Sequence, residues 1–309
     1  MKTRRLGIAA AVLGVAAAAW FVAPVRLSAI VLLRRNSVCP WNQALKAADN
    51  ERRQIAIKDR ILYASKLLEN DPKGFHLWQT PHGRYWIPMG SDYVLPFNLA
   101  EQERKIYGTG ARAVQPDDIV LDCGANVGVF VREAITNGAK LVVAIEPAPE
   151  NIECLRRNFA REIEGGKVIV YPKGVWNKDD FLTLNVDPAN SAADSFLIQR
   201  EGAQAVARVP LTTIDKLVEE LRLPRVDYIK MDIEGAEPNA LEGAQATLAR
   251  FTPRLSLSAY HAPDHPKRIP ELVRQASAGY RMECGPCAET HFAVRPDILY
   301  FFPEHPAVR

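Results

Sequence analysis

The run Asp122-Cys123-Gly124-Ala125-Asn126-Val127-Gly128 has the residue types and spacing to hold a small ligand. It follows a short apolar run, 119–121, and leads into a helical pattern, so it reads as a strand-to-helix turn. Gly124 lets the backbone turn tightly and lie against a ligand. Gly128 lets the helix pack close to the strand. The spacing is Gly-x-x-x-Gly, with Asn126 where a dinucleotide fold carries its second glycine. Asp122 sets a carboxylate beside the turn, which repels a pyrophosphate and suits a cationic ligand. S-adenosylmethionine, with its sulfonium and ammonium groups, meets that requirement.

Glu146 follows at the end of an expected strand, 141–145. A carboxylate there accepts hydrogen bonds from vicinal ribose hydroxyls. A second cluster is Lys230-Met231-Asp232-Ile233-Glu234-Gly235-Ala236-Glu237, at the end of an expected strand over 226–231. Asp232 and Glu234 there are costly to desolvate unless they meet a cation or a donor. Glu237 also fits a helix N-terminus, where negative charge is favoured. For removing a proton from a methyl acceptor, Asp232 and His261 are the candidate bases. Lys230 either neutralises an acceptor oxygen or pairs with Glu234, and the ion pair is the simpler expectation. Asp232 and Glu234, with His261, are candidate ligands for a divalent metal.

The elements that must position these groups alternate. Strands are expected over 119–121, 141–145, 167–171, 181–184, 207–211, 226–231, 254–259, 280–283 and 298–302. Helices are expected over 127–137, 149–163, 213–221, 238–250 and 269–277. Such alternation indicates a mainly parallel α/β sheet covered on both faces, with ligands beyond the carboxyl ends of the strands. Upstream, 44–68 and 99–107 read as helices, and 75–87 as a hairpin flanked by Trp78 and Trp86, whose expected role is packing.

Residues 6–25 carry no charge and are flanked by Lys2, Arg4 and Arg5 before and Arg26, Arg34 and Arg35 after. The length suits a single-pass transmembrane helix, with a cleaved signal peptide and an interfacial helix as alternatives. Lys and Arg total 39 against 36 Asp and Glu, which offers no electrostatic case for nucleic-acid binding. The five cysteines are irregularly spaced and do not read as a secreted disulfide framework. Cys284-Gly285-Pro286-Cys287 has the sequence of a redox pair, but its position near the last strand favours a turn between strands.

Val120 to Gly128, Glu146-Pro147, Leu211-Thr212-Thr213-Ile214-Asp215 and Ile229 to Glu237 together resemble the FkbM family of S-adenosylmethionine-dependent methyltransferases. The Lys-x-Asp-x-Glu-Gly-x-Glu run is the most distinctive part. The resemblance implies a class I methyltransferase, Rossmann-like fold and O-methylation of a sugar, glycolipid or secondary-metabolite hydroxyl. It implies that Asp122, Gly124, Ala125, Asn126 and Gly128 hold the methionine part of the donor, with Glu146 and Pro147 at the ribose. It also puts Asp232 where many O-methyltransferases carry a base or metal ligand. Three regions are expected: an anchor over 1–35, a helical and hairpin extension over 36–113, and a catalytic domain over 114–309. Because the donor is cytoplasmic, the catalytic domain is expected on that side of a membrane. The rival functions are a non-catalytic membrane-tethered binding module and an NAD-dependent oxidoreductase.

Overall fold

The computed structural model describes residues 14, 17, 21–186, 197, 204–290 and 292–303. Helices α1 (Ala23–Leu32), α2 (Trp41–Ala44) and α3 (Ala47–Ala64) come first, followed by strands β1 (Lys66–Asp71), β2 (Phe75–Thr80) and β3 (Gly83–Pro88) and helix α4 (Val94–Glu103). The α/β unit then runs β4 (Ile119–Cys123), α5 (Val129–Thr136), β5 (Leu141–Ile145), α6 (Pro149–Asn158), α7 (Ala160–Glu164), β6 (Val168–Tyr171), β7 (Gly174–Val175), β8 (Asp180–Val186), β9 (Gln204–Thr212) and α8 (Ile214–Glu220). It continues with β10 (Tyr228–Met231), α9 (Glu237–Glu242), α10 (Gln245–Phe251), β11 (Arg254–Ser258), α11 (His265–Ala276), β12 (Tyr280–Cys284), β13 (Cys287–Thr290), β14 (Ala293–Pro296) and β15 (Ile298–Pro303).

Seven strands form the main sheet in the order β12-β15-β11-β10-β4-β5-β6. From β11 to β6 the neighbours are parallel, and β15 runs antiparallel to both β11 and β12. This is the mixed, mostly parallel sheet of a methyltransferase-like α/β fold. Strand parity explains its two cores. Ile119, Leu121 and Cys123 join one apolar cluster and Val120 the other, so β4 is buried on both faces. That is why the run lacks the apolar-polar alternation of a half-exposed strand. Asp122 shares a face with Val120, and Lys230 stands opposite it in the β4–β10 register.

Several boundaries differ from the sequence expectation. The helix expected over 44–68 stops at Ala64, and Lys66–Asp71 instead pairs antiparallel with β2. The expected hairpin is thereby a three-stranded meander, because cross-strand pairing outweighs local helical preference. The helix expected over 99–107 begins earlier, at Val94, and ends at Glu103. The hairpin of β13 and β14 was not anticipated.

The extension does not stand apart from the α/β unit. Ile61, Tyr85, Ile87, Leu95 and Leu99 share one apolar cluster with Val127, Val129 and Cys154. Asn158 ties the two regions, accepting from the Trp86 N–H at 2.6 Å and donating to the carbonyls of Trp86 and Val127. Trp78 donates its indole N–H to Asp92 at 2.7 Å, and Trp86 lies under the Arg157 guanidinium, so both tryptophans pack.

Most of the apolar run 6–25 lies outside the described residues. Among the described residues no helix is long and apolar enough to cross a membrane. Helix α1 buries Leu27, Ile30 and Val31 against Ala44, Ala47 and Val294. Arg26 within it pairs with Glu289 of β13. Cys39 and Cys287 form a disulfide between segments 248 residues apart. One pair is thus bonded although the spacing does not read as a disulfide framework, and Cys123, Cys154 and Cys284 are free. Sequence spacing cannot reveal a pairing that the packing of α1 and α2 on the β13–β14 hairpin brings about. Gly285-Pro286 is the expected turn, linking β12 to β13, and Cys284 donates its thiol to the Val38 carbonyl.

Candidate active site

A cavity of about 310 Å³ opens over the carboxyl ends of β4 and β10. That is within the size range of small-molecule sites. One wall is the turn itself, Gly124, Ala125 and Asn126. Another is Lys230, Asp232 and Glu234, and a third comes from α4 and the segment after it, including Phe97, Glu101 and Tyr107.

The turn has no room for side chains at its two glycines. Gly124 has φ +77°, and a Cβ there would stand 2.0 Å from the Asp232 carbonyl oxygen. Gly128 has φ +91°, and its Cβ would stand 2.1 Å from the Phe159 ring. The N–H groups of Gly124 and Ala125 both donate to the Ile145 carbonyl, clamping the turn to the end of β5. Asn126 also adopts a left-handed conformation, φ +50°. Its N–H donates to Glu146 Oε2 at 2.8 Å, and Ala148 N–H donates to Oε1 at 3.0 Å. Glu146 is thus buried behind the turn rather than on the cavity wall. Burial pushes its carboxyl up to about 7, against the lowering effect of those two amides. Pro147 is half-buried just before α6.

Asp122 is likewise not on the wall. It is fully buried, and Lys230 Nζ lies 3.2 Å from its Oδ1 while donating to the Gly124 carbonyl at 2.8 Å. The expected Lys230–Glu234 pair is therefore replaced by Lys230–Asp122, because the strand register sets those two side by side. Burial raises the Asp122 carboxyl to about 6, with Lys230 opposing the rise. Its charge is met inside the protein instead of by a ligand.

The carboxylates that do reach the cavity are Asp232, Glu234 and Glu101. Asp232 accepts from Tyr107 Oη at 2.9 Å and lies 3.5 Å from both Tyr260 Oη and His261 Nε2. Burial works to raise its carboxyl, but His261 and Lys230 outweigh that and hold it below its ordinary value. His261 is buried, with Nδ1 2.9 Å from Glu237 Oε1 and Nε2 3.3 Å from Glu234 Oε1. Burial works to lower its pKa, yet the carboxylates of Glu237, Glu234 and Asp232 hold it well above the usual range. Neither Asp232 nor His261 is tuned as a base near neutrality. The structure does bring Asp232, Glu234 and His261 together, with ligand-type atoms within 4.8 Å of one another. Tyr107 and Tyr260 were missed as site residues. Glu101 was noted on its helix but not given a role, because nothing local shows that α4 folds over the pocket.

A pocket at the carboxyl ends of parallel strands, floored by a glycine turn, is the site geometry of a Rossmann-like α/β fold. The chain belongs to the FkbM methyltransferase family: residues 122–282 match the Methyltransferase FkbM domain. It is similar to the hexuronic acid methyltransferase AglP of Haloferax volcanii, 26% identical over 52% of this chain and 64% of that protein. It is also similar to the 31-O-demethyl-FK506 methyltransferase FkbM of Streptomyces tacrolimicus, 23% identical over 43% of this chain and 61% of that protein. The chain thus spans less than two-thirds of the length of either relative. The solved structure of Methyltransferase FkbM from Methylobacillus flagellatus KT aligns over 83% of this chain and 60% of that one, at 17% identity and a TM-score of 0.45.

Proposed function

We propose that this protein is an S-adenosylmethionine-dependent O-methyltransferase acting on a hydroxyl of a sugar, glycolipid or secondary metabolite. The observation that carries the reading is the cavity that joins the side-chain-free turn at Gly124 to the carboxylates of Asp232, Glu234 and Glu101. A cationic donor fits there: the glycine turn keeps side-chain bulk low on the wall that would take its methionine part, and the acidic wall complements its charge. When bound, S-adenosylmethionine supplies an electrophilic methyl group. The chain's own part is to align the acceptor and take its proton. We assign that proton to Glu101, which lines the cavity. His261 is committed to Glu237 through Nδ1 and does not itself line the cavity. The relatives' names support an oxygen acceptor on a sugar or secondary metabolite, since one is named for hexuronic acid and the other for 31-O-demethyl-FK506.

The test is incubation of the purified chain with radiolabelled donor and fractionated cell extract, with donor and NAD binding followed by calorimetry. Label transfer supports the reading. Binding of NAD in place of the donor would make the chain an oxidoreductase, and binding of neither would make it a non-catalytic module. We further propose that residues 6–25 anchor the chain in a membrane with the catalytic domain on the cytoplasmic side. A C-terminal tag accessible only from outside intact cells would refute this. So would a Cys39–Cys287 bond found intact after rapid thiol trapping of cells, because such bonds persist in oxidising compartments.

A further inference from the structure

We infer that Asp232, Glu234 and His261 form a divalent-cation site on the floor of the pocket, with Glu237 orienting the histidine. The inference deepens the methyltransferase reading and rests on it for the role of the ion, though not for the existence of the site.

The orientation of His261 carries the argument. Its side chain is 3% exposed, and Nδ1 is tied to Glu237 Oε1 at 2.9 Å. Glu237 is itself fully buried and takes the Ile233 N–H on the same oxygen at 3.0 Å. A histidine whose Nδ1–H is fixed by a buried carboxylate can give up the proton on its other nitrogen to a cation, as metal-bound histidines do. That nitrogen, Nε2, is buried and makes no hydrogen bond among the described residues. It faces Glu234 Oε1 at 3.3 Å and Asp232 Oδ1 at 3.5 Å. Ligand atoms about 2.1 Å from a shared ion stand about 3.0–3.4 Å apart at octahedral or tetrahedral angles. These two separations lie at or just beyond the upper end of that spacing.

Charge points the same way. Three carboxylates converge on one imidazole, while the nearby Lys230 is occupied by Asp122 and the Gly124 carbonyl. A divalent cation meets that excess where a single proton does not. Asp232 and Glu234 line the cavity, so an ion held there would have an entry path from it. Two carboxylates and one imidazole suit Mn²⁺ or Zn²⁺. The ion would hold an acceptor hydroxyl and make its proton easier to remove. A second grouping, Glu237 with His261 and His265, shares the histidine but has no such opening, and it would cost the Nδ1–Glu237 bond.

The experiment is titration of the full-length purified chain with Mn²⁺, followed by the loss of the free-ion EPR signal and by thermal melting. We expect a single site and a raised melting temperature in the wild type. His261→Ala and Asp232→Asn should abolish binding, and Glu237→Gln should weaken it by about 10–100-fold. An unshifted melting temperature with no loss of signal would overturn the site, without dependence on any variant's folding. Binding that survived Asp232→Asn but was lost in His265→Ala would move the ion to the buried side and overturn it as well. Calorimetry with S-adenosylmethionine on the same samples separates the two readings. Donor bound without Mn²⁺ removes the cation site alone, and Mn²⁺ bound without donor removes the methyltransferase reading alone.

Discussion

Gly124→Ala tests the turn most directly. At φ +77° an alanine carries the steric penalty of the left-handed region, and its Cβ would lie 2.0 Å from the carbonyl oxygen of Asp232. That atom is backbone at the carboxyl end of β10, where the Asp232 N–H is bonded to the Cys123 carbonyl, and it cannot swing aside as a side chain would. The conformational penalty is about 1–2 kcal/mol and the clash about 1–3 kcal/mol, so the loss should total about 2–5 kcal/mol. Gly166→Ala is the control, because Gly166 has φ +68° with nothing within 4 Å of its Cβ position. It should lose about 1–2 kcal/mol, the conformational part alone. Urea unfolding of the three proteins reads the difference. Donor binding by calorimetry should fall at least about tenfold in Gly124→Ala, a change of about 1.4 kcal/mol, and be unaltered in Gly166→Ala. Equal stabilities and equal donor affinities in the two variants would refute the claim that close backbone approach shapes the pocket.

Other expectations follow from the same geometry. Glu146 titrates near 7 in the folded chain against an ordinary 4.5, so between those values the folded state holds a proton that the unfolded state has released. Stability should therefore fall as pH rises through that window, by about 3 kcal/mol at most, and Glu146→Gln should flatten the slope; an unchanged slope in urea titrations at pH 5 and 7.5 would count against it. Lys230→Met strands the buried Asp122 and should cost about 3–5 kcal/mol, with part recovered in the Lys230→Met, Asp122→Asn double variant. Cys39→Ser should lower stability by about 2–5 kcal/mol under non-reducing conditions and make no difference once the wild type is reduced. Glu101→Gln should lower kcat by about 10²–10⁴, far more than it weakens donor binding, which steady-state kinetics and calorimetry separate.

Local chemistry made much of this molecule legible. The β4 turn could be read because Gly124 and Gly128 report backbone needs that hold wherever the turn sits. The sheet could be read because runs such as 141–145 are apolar on both faces. Element ends were less legible: β1 exists because β2 lies beside it, and nothing in Lys66–Asp71 alone announces that. Roles assigned to single charged residues were the least legible. Asp122, expected as a ligand contact, is a buried partner of Lys230, while Glu101, in a run expected only to be helical, lines the pocket.

By itself, the sequence determined the α/β class, the ligand-binding turn and the acidic Lys230–Glu237 segment, because each depends on residues close together in the chain. Tertiary structure alone decided which charges meet. The β4–β10 register pairs Asp122 with Lys230, the loop after β11 brings His261 to Glu237, and the packing of α1 and α2 on β13 joins Cys39 to Cys287. The physical reason is that a charge or a thiol carries no information about its partner until burial sets the two together. A glycine's backbone conformation and an apolar strand's need for cover are already demands of the local chain.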